Sequence, residues 1–467
     1  MFGTSLKWPA EPAAAGPEAR SIGALAKLGL AFGPLADPLA IWGLRRWFFP
    51  LSRLWAAADA SGADLDRFLA ESGLALKRQP LVGYAAGRLA GQADAKDLLD
   101  AADEAWDGGF FGRPNVRPAT LAWLEQARKR AAQRWMLARI GYQPLAVGRS
   151  LPSVRWAIPT PADVEKAIGP ALVEPATAFD LRLRPKVESS PVYKNSIGNV
   201  AWVRFKSPWH RLGDTVLAKV TTPLDAANPP TIVFGNGVFV EWDMIADLSG
   251  VERALVERGL RVVELVSPWH GRRRPAGRYG GELFFASAPL GPIDLFVGQA
   301  LESAVLVRWA RDAFGGKVAI GGISMGALAA QLAAGHADRW PRDCRPDAAL
   351  LIAHSGQLRS VTFEGSLTKA LGLPPALHAA GWADKAVEKV RHLLDPPDRP
   401  AIDPASIVSL LGDADRVMPV AHGIDLTRRW GVPADNVFTV RQSHISLPLA
   451  LLSDDRPIQR LRKILGA

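Results

Sequence analysis

From about residue 199 onward, short apolar runs rich in Val, Ile and Phe recur along the chain. Longer Ala- and Leu-rich stretches with helical periodicity separate the later ones. The pattern predicts strands at 199–205, 215–221, 231–234, 261–266, 318–321, 348–354, 406–411 and 436–440. Helices are expected at 243–257, stopping before Gly259, and at 294–314, stopping at Gly315-Gly316. Closely spaced early strands followed by regular alternation of strand and helix imply an α/β fold. Its sheet should be mostly parallel and covered by helices on both faces.

The first 190 residues read differently, as a largely helical region. Pro, Ala and Glu dominate the first 20 residues, which are expected to fray. Residues 21–74 are helical in pattern, with breaks expected at Gly33-Pro34 and Asp37-Pro38. Within them, aromatics alternate with arginines from Ile41 to Trp55, which suits either a lipid interface or packing on the rest of the protein. Residues 75–116 suggest several short helices and a glycine-rich loop at Asp107–Gly112. Thr120 is the expected cap of a helix to about Ile140, with Leu121, Leu124, Ala131, Trp135 and Ala138 inward and Arg128 and its basic neighbours largely elsewhere. The division expected is 1–190, helical and without a legible role, and 191–467, carrying a short helical lid at about 357–400.

Composition adds bounds. The 467 residues are 48% hydrophobic and 22% charged, as expected of a soluble globular protein with a large core. The net charge of +10 suits an anionic partner, but the basic residues are scattered, and no nucleic-acid pattern is present. The single cysteine, Cys344, leaves no intramolecular disulfide and no cysteine-built zinc site. With no cleavable leader pattern and no uninterrupted apolar run of membrane-spanning length, the expectation is a cytoplasmic protein, with peripheral membrane contact through its N-terminal region as an option.

The chemistry centres on Gly322-Ile323-Ser324-Met325-Gly326, between an apolar strand and an Ala-rich helix. A sharp strand-to-helix turn puts the serine in a strained, positive-φ conformation and needs glycines where neighbouring backbone passes close. A serine hydroxyl needs a base, and the base needs an acid to orient it. Of the downstream histidines, His444 follows the last strand, where a base belongs. His336, His354, His378, His392 and His422 fall on helices, on a strand end or in the insertion. The acid is expected in Gly412-Asp413-Ala414-Asp415, with Asp415 favoured and Asp413 the other candidate. For the oxyanion, the N–H groups of Met325 and Val238 are the expected donors. Gly237, Phe239, Trp242 and Trp269 are the expected substrate contacts, and Arg272, Arg273 and Arg274 a candidate anion site.

Several pieces in one order resemble the family of α/β-hydrolase-domain-containing protein 18. They are Ser267-Pro268-Trp269-His270-Gly271-Arg272-Arg273-Arg274-Pro275, Asp294-Leu295-Phe296-Val297, Leu301-Glu302-Ser303-Ala304, the Ser324 turn, and His444-Ile445-Ser446. The resemblance runs from about 200 to 467. It implies an α/β-hydrolase fold, a Ser324–Asp415–His444 triad and hydrolysis of an ester or lipid acyl group without a cofactor. The chain departs from the family at Asn236, Ala327, Gln442 and Ser443. Acyl transfer by the same residues, a non-catalytic scaffold and a peripheral membrane protein are the competing readings.

Overall fold

The structure, a computed structural model, is described for residues 33, 36–112, 115–239 and 250–467. Ten strands form one sheet: β1 Glu188–Ser189, β2 Tyr193–Lys194, β3 Asn199–Lys206, β4 Thr215–Thr222, β5 Thr231–Gly235, β6 Arg261–Leu265, β7 Val318–Ile323, β8 Ala348–Ile352, β9 Ile407–Gly412 and β10 Val437–Val440. Their spatial order is β1-β3-β4-β6-β5-β7-β8-β9-β10, with β2 beside β3. Strands β1 to β4 pair antiparallel, as does β4 with β6, and every pair from β6 through β10 is parallel. All eight expected strands are present. The two-residue β1 and β2, too short to leave a pattern, are additions.

The parallel strands are apolar on both sides because helices cover both sheet faces. Val233, Val263, Ile320 and Leu351 enter one cluster, with the helices Leu290–Phe314 and Met325–His336. Their neighbours Ile232, Val262, Ala319 and Leu350 enter the other, with Val251–Glu257, Leu447–Ser453 and Arg456–Leu465. The helix Leu290–Phe314 starts four residues earlier than expected. By length and composition it could cross a bilayer, but 89% of its most apolar window is buried inside the protein. The helix expected from Asp243 is described only from Val251; residues 243–249 lie outside the described residues.

The N-terminal helices enter the first of these cores, and Trp106, Phe110, Leu121 and Leu124 pack with Tyr193, Val200 and Trp202 of the sheet in a third. The break expected at Asp37-Pro38 is absent, since helix runs from Ala36 to Ser61, while Pro34 of the other expected break lies outside the described residues. Pro38 falls in the first turn, where its missing N–H costs nothing. At Pro50 the preceding turn, Leu44–Phe48, widens into a π-helix, with Phe49 N–H donating to Leu44 O, which accommodates the ring. The aromatics of this helix divide. Phe49 and Trp55 are fully buried against the rest of the protein, while Trp42 and Trp47 stay exposed. A buried ion pair fastens the same helix, with Arg53 Nη1 donating to Glu282 Oε1 and Oε2 at 2.9 and 2.8 Å.

Further along, the short helices expected over 75–116 are one helix of 29 residues, Gln79–Asp107, extended by a π turn at Gly108–Gly112 where a loop was expected. The next helix spans Pro118–Leu137, so Thr120 is not its cap; a proline at the first turn starts it instead. Arg128 is buried, not solvated, because Glu125 lies 3.6 Å away and the Trp106 ring accepts its cation.

Candidate active site

Three loops at the carboxyl end of the parallel strands carry the site, where open α/β sheets place ligands. The first is the turn out of β7. Ser324 has φ 55° and ψ −119°, a strained backbone held by Ser324 N–H donating to Ile352 O at 2.9 Å. A Cβ on Gly326 would stand 2.1 Å from Gly235 O, so only glycine lets the ends of β5 and β7 meet. The helix Met325–His336 begins immediately after the serine and points its first, unbonded N–H groups toward it.

The second loop follows β9 and carries Asp415, and the third follows β10 and carries His444. His444 Nε2 lies 2.8 Å from Ser324 Oγ, and His444 Nδ1 lies 2.7 Å from Asp415 Oδ2. Asp415 Oδ1 accepts from the N–H groups of Val417 and Met418 at 2.9 and 2.8 Å, which fixes the carboxylate. Asp413 is exposed, and of the two aspartates it is Asp415 that bonds His444. Burial disfavours the charged imidazolium of His444. The charge and hydrogen bond of Asp415, with a further contribution from Asp37, outweigh that and raise its pKa above the ordinary 6.5.

The loop after β5 closes over the serine. A Cβ on Gly237 would sit 3.9 Å from Ser324 Oγ, which puts this backbone beside the hydroxyl. Asn236 turns inward, donating to Glu264 Oε1 at 2.6 Å, and Glu264 in turn lies 3.4 Å from Lys219 Nζ. Asn236 therefore holds the shape of the loop.

Two apolar cavities reach Ser324. One, of about 90 Å³, is walled by Phe284, Leu328 and Met418 and roofed by Leu358, Leu373 and Leu377. The roof is the helical insertion Leu358–Glu364, Ser366–Leu371, Leu373–Ala379 and Asp384–Val390. The other, of about 640 Å³, is wider and runs between the N-terminal helix and the His444 loop, past Ile41, Leu44, Trp47, Ile140 and Ile445. Val238 lines both, and Met325 the first.

The remaining expected residues divide. Phe239 lines the wide cavity and stacks into an aromatic cluster with Phe49, Tyr279 and Phe285. Trp269 lines neither cavity and packs, partly buried, against the first apolar cluster. Trp242 lies outside the described residues. The three arginines are not an anion site: Arg272 pairs with Asp107, Arg273 with Asp214 and Glu302, and Arg274 with Asp59. Cys344 is buried, and burial pushes its thiol up to about 11. His354 is buried 2.7 Å from Ser409 Oγ, and His336 stacks on Phe179. Sequence reasoning missed Asp37, Gly33 and Arg139. Asp37 and Gly33 bond the loop that carries His444, and Arg139 lines the wide cavity. An aspartate before a proline signalled only a break.

The fold is a mostly parallel α/β sheet with helices on both faces, and it is similar to known α/β-hydrolases. A family model described as alpha/beta hydrolase domain containing 18 matches residues 248–371, which include the Ser324 turn. Solved structures similar to the chain include an acetyl xylan esterase from Paenibacillus sp. R4. It is 15% identical, with 61% of this chain and 92% of that one covered and a TM-score of 0.46. Acetyl xylan esterase 1 from Thermoanaerobacterium sp. JW/SL YS485 is 14% identical, with 64% and 96% covered and a TM-score of 0.42. An S-formylglutathione hydrolase from Agrobacterium tumefaciens is 16% identical, with 59% and 99% covered and a TM-score of 0.38. Curated proteins yield no match.

Proposed function

We propose that this chain is a serine hydrolase that cleaves an apolar carboxylic ester through an acyl-enzyme on Ser324. The observation that carries the reading is the line of hydrogen bonds from Ser324 Oγ through His444 to Asp415, at the meeting point of two apolar cavities. Ser324 Oγ attacks the ester carbonyl carbon as its proton passes to His444 Nε2, and Asp415 stabilises the imidazolium. The N–H groups of Met325 and Val238 take the negative charge on the carbonyl oxygen. Collapse breaks the ester C–O bond, and His444 returns the proton to the departing alkoxide. Water then repeats the sequence on the acyl-serine, releasing the acid and restoring the hydroxyl. An alcohol or thiol in place of water makes the same cycle an acyl transfer.

A substrate with its carbonyl at Ser324 has an apolar arm on either side, one in the narrow cavity and one in the wide one. This favours a lipid-like ester over a small polar one. A fluorophosphonate probe should label the wild-type chain and not Ser324→Ala, and p-nitrophenyl esters of graded length should then rank the acyl arm. A folded wild-type protein that takes no label would favour a scaffold with a hydrolase fold.

A second reading concerns where such an ester is met. Trp47, Ile140 and Ile445 line the wide cavity yet are exposed, Trp42 packs edge-on to Trp47 at 4.7 Å, and Arg45 and Arg46 are exposed beside them. Exposed tryptophans flanked by arginines suit the headgroup layer of an anionic bilayer. Binding to phosphatidylglycerol vesicles should fall in Trp42→Ala, at a residue that lines neither cavity, while hydrolysis of a soluble ester is kept. Equal sedimentation of wild type and variant would remove this reading.

A further inference from the structure

The loop that carries His444 is held from the far end of the sequence. His444 N–H donates to Asp37 Oδ2 at 3.0 Å and Ile445 N–H to Asp37 Oδ1 at 2.9 Å, across 407 and 408 positions of sequence. The same carboxylate accepts from Arg416 N–H at 3.4 Å, and Arg416 follows Asp415 directly. Gly33 O, four residues upstream, accepts from Ser443 N–H at 3.3 Å and Ser446 Oγ at 3.1 Å. Asp37 is 1% exposed and sits in the first turn of its helix, where the helix dipole favours a negative charge. Burying a carboxylate is costly unless its oxygens are satisfied, and here three main-chain donors satisfy them.

We infer that Asp37 is a positioning residue of the active site, tying the acid loop and the base loop together so that His444 is held in line between Asp415 and Ser324. The role rests on reading His444 as the base. It gives the N-terminal helix a task that packing alone would not: the site is incomplete without Gly33 and Asp37. The charge of Asp37 also acts on the imidazole. Among the described residues, the charged groups that act on His444 are Asp415 and Asp37. Across the wide cavity, Arg139 donates to Met136 O and Ser52 Oγ. Removing Asp37 therefore takes away one of the two negative charges that stabilise the imidazolium.

The test compares Asp37→Asn, which keeps one acceptor and loses the charge, with Asp37→Ala, which loses both. Two readouts are taken on folded full-length protein. The first is kcat and KM on p-nitrophenyl butyrate across pH. The second is the titration of His444 by NMR of labelled histidine, assigned with His444→Gln. Asp37→Ala should lower kcat by about a hundredfold at little change in KM, the scale of a misplaced catalytic group, with Asp37→Asn between it and the wild type. In both variants the titration of His444 should move to lower pH. A merely structural role would reduce the folded fraction and leave the titration where it was. Folded Asp37→Ala with wild-type kcat and an unmoved His444 titration would overturn the inference. A wild-type protein inert to every ester would instead sink the hydrolase reading, while the titration would still decide what Asp37 does.

Discussion

His444 must be neutral to accept the serine proton, so the charges that raise its pKa set the acid limit of activity. With that pKa above the ordinary 6.5, kcat/KM should climb with pH along a limb centred above 6.5 and level off beyond it. A pH–rate profile centred below 6.5 would contradict the pairing with Asp415. The buried histidines work in the opposite sense for stability. Burial holds His336 and His354 down to about 4, against an unfolded value near 6.5. Between those values the unfolded chain takes up a proton that the native one refuses. Their contribution is therefore complete above pH 6.5 and is lost as pH falls toward 4, on the order of 3 kcal/mol each. Urea midpoints at pH 7 and pH 4.5 should differ less in His354→Gln than in the wild type; an equal difference would count against this origin of acid sensitivity.

The elements around the elbow explain why some of the fold was legible and some was not. Strands β5 to β9 announce themselves because both their faces are buried, and unbroken β-branched runs have few other uses. The glycines at 322 and 326 are readable because backbone passes against them, and this has a consequence for mutagenesis. Gly326→Ala should cut fluorophosphonate labelling by at least about a hundredfold, since its Cβ would meet Gly235 O, main chain that cannot swing aside. Gly83→Ala, inside the helix Gln79–Asp107 with nothing within 4 Å of the new methyl, should stabilise by about 0.5–1 kcal/mol. Equal labelling in Gly326→Ala and the wild type would mean that the elbow has slack. What stayed hidden depends on partners distant in sequence. Arg272, Arg273 and Arg274 read as an anion site until their carboxylates, from four different parts of the chain, are seen. Arg128 reads as a solvated face until Trp106 and Glu125 surround it. Asp37-Pro38 reads as a helix break because the sequence does not show that the helix starts at Ala36 and leaves Pro38 in its first turn.

Across the whole molecule, one apolar cluster draws on residues from both sides of position 190, from Phe49 to Trp430. The Arg53–Glu282 pair, 2% and 0% exposed, crosses between the N-terminal helix and the segment after β6. Arg53→Met would leave Glu282 only Arg278 and the N–H groups of Arg155 and Tyr279 as partners and should cost roughly 1.5–3 kcal/mol, the scale of lost hydrogen bonds to a charged group. Because the N-terminal helix also holds the His444 loop, tryptophan fluorescence and probe labelling should be lost at the same urea concentration, in this variant as in the wild type. Labelling that outlasts the fluorescence change would show that the two regions unfold separately. The most direct measurement is mass spectrometry of the protein quenched while it turns over a p-nitrophenyl ester. An acyl mass increment on the peptide containing Ser324, absent in Ser324→Ala and strongly reduced in His444→Ala, is the expected result. Turnover that leaves Ser324 unmodified, or that survives intact in Ser324→Ala, would contradict it.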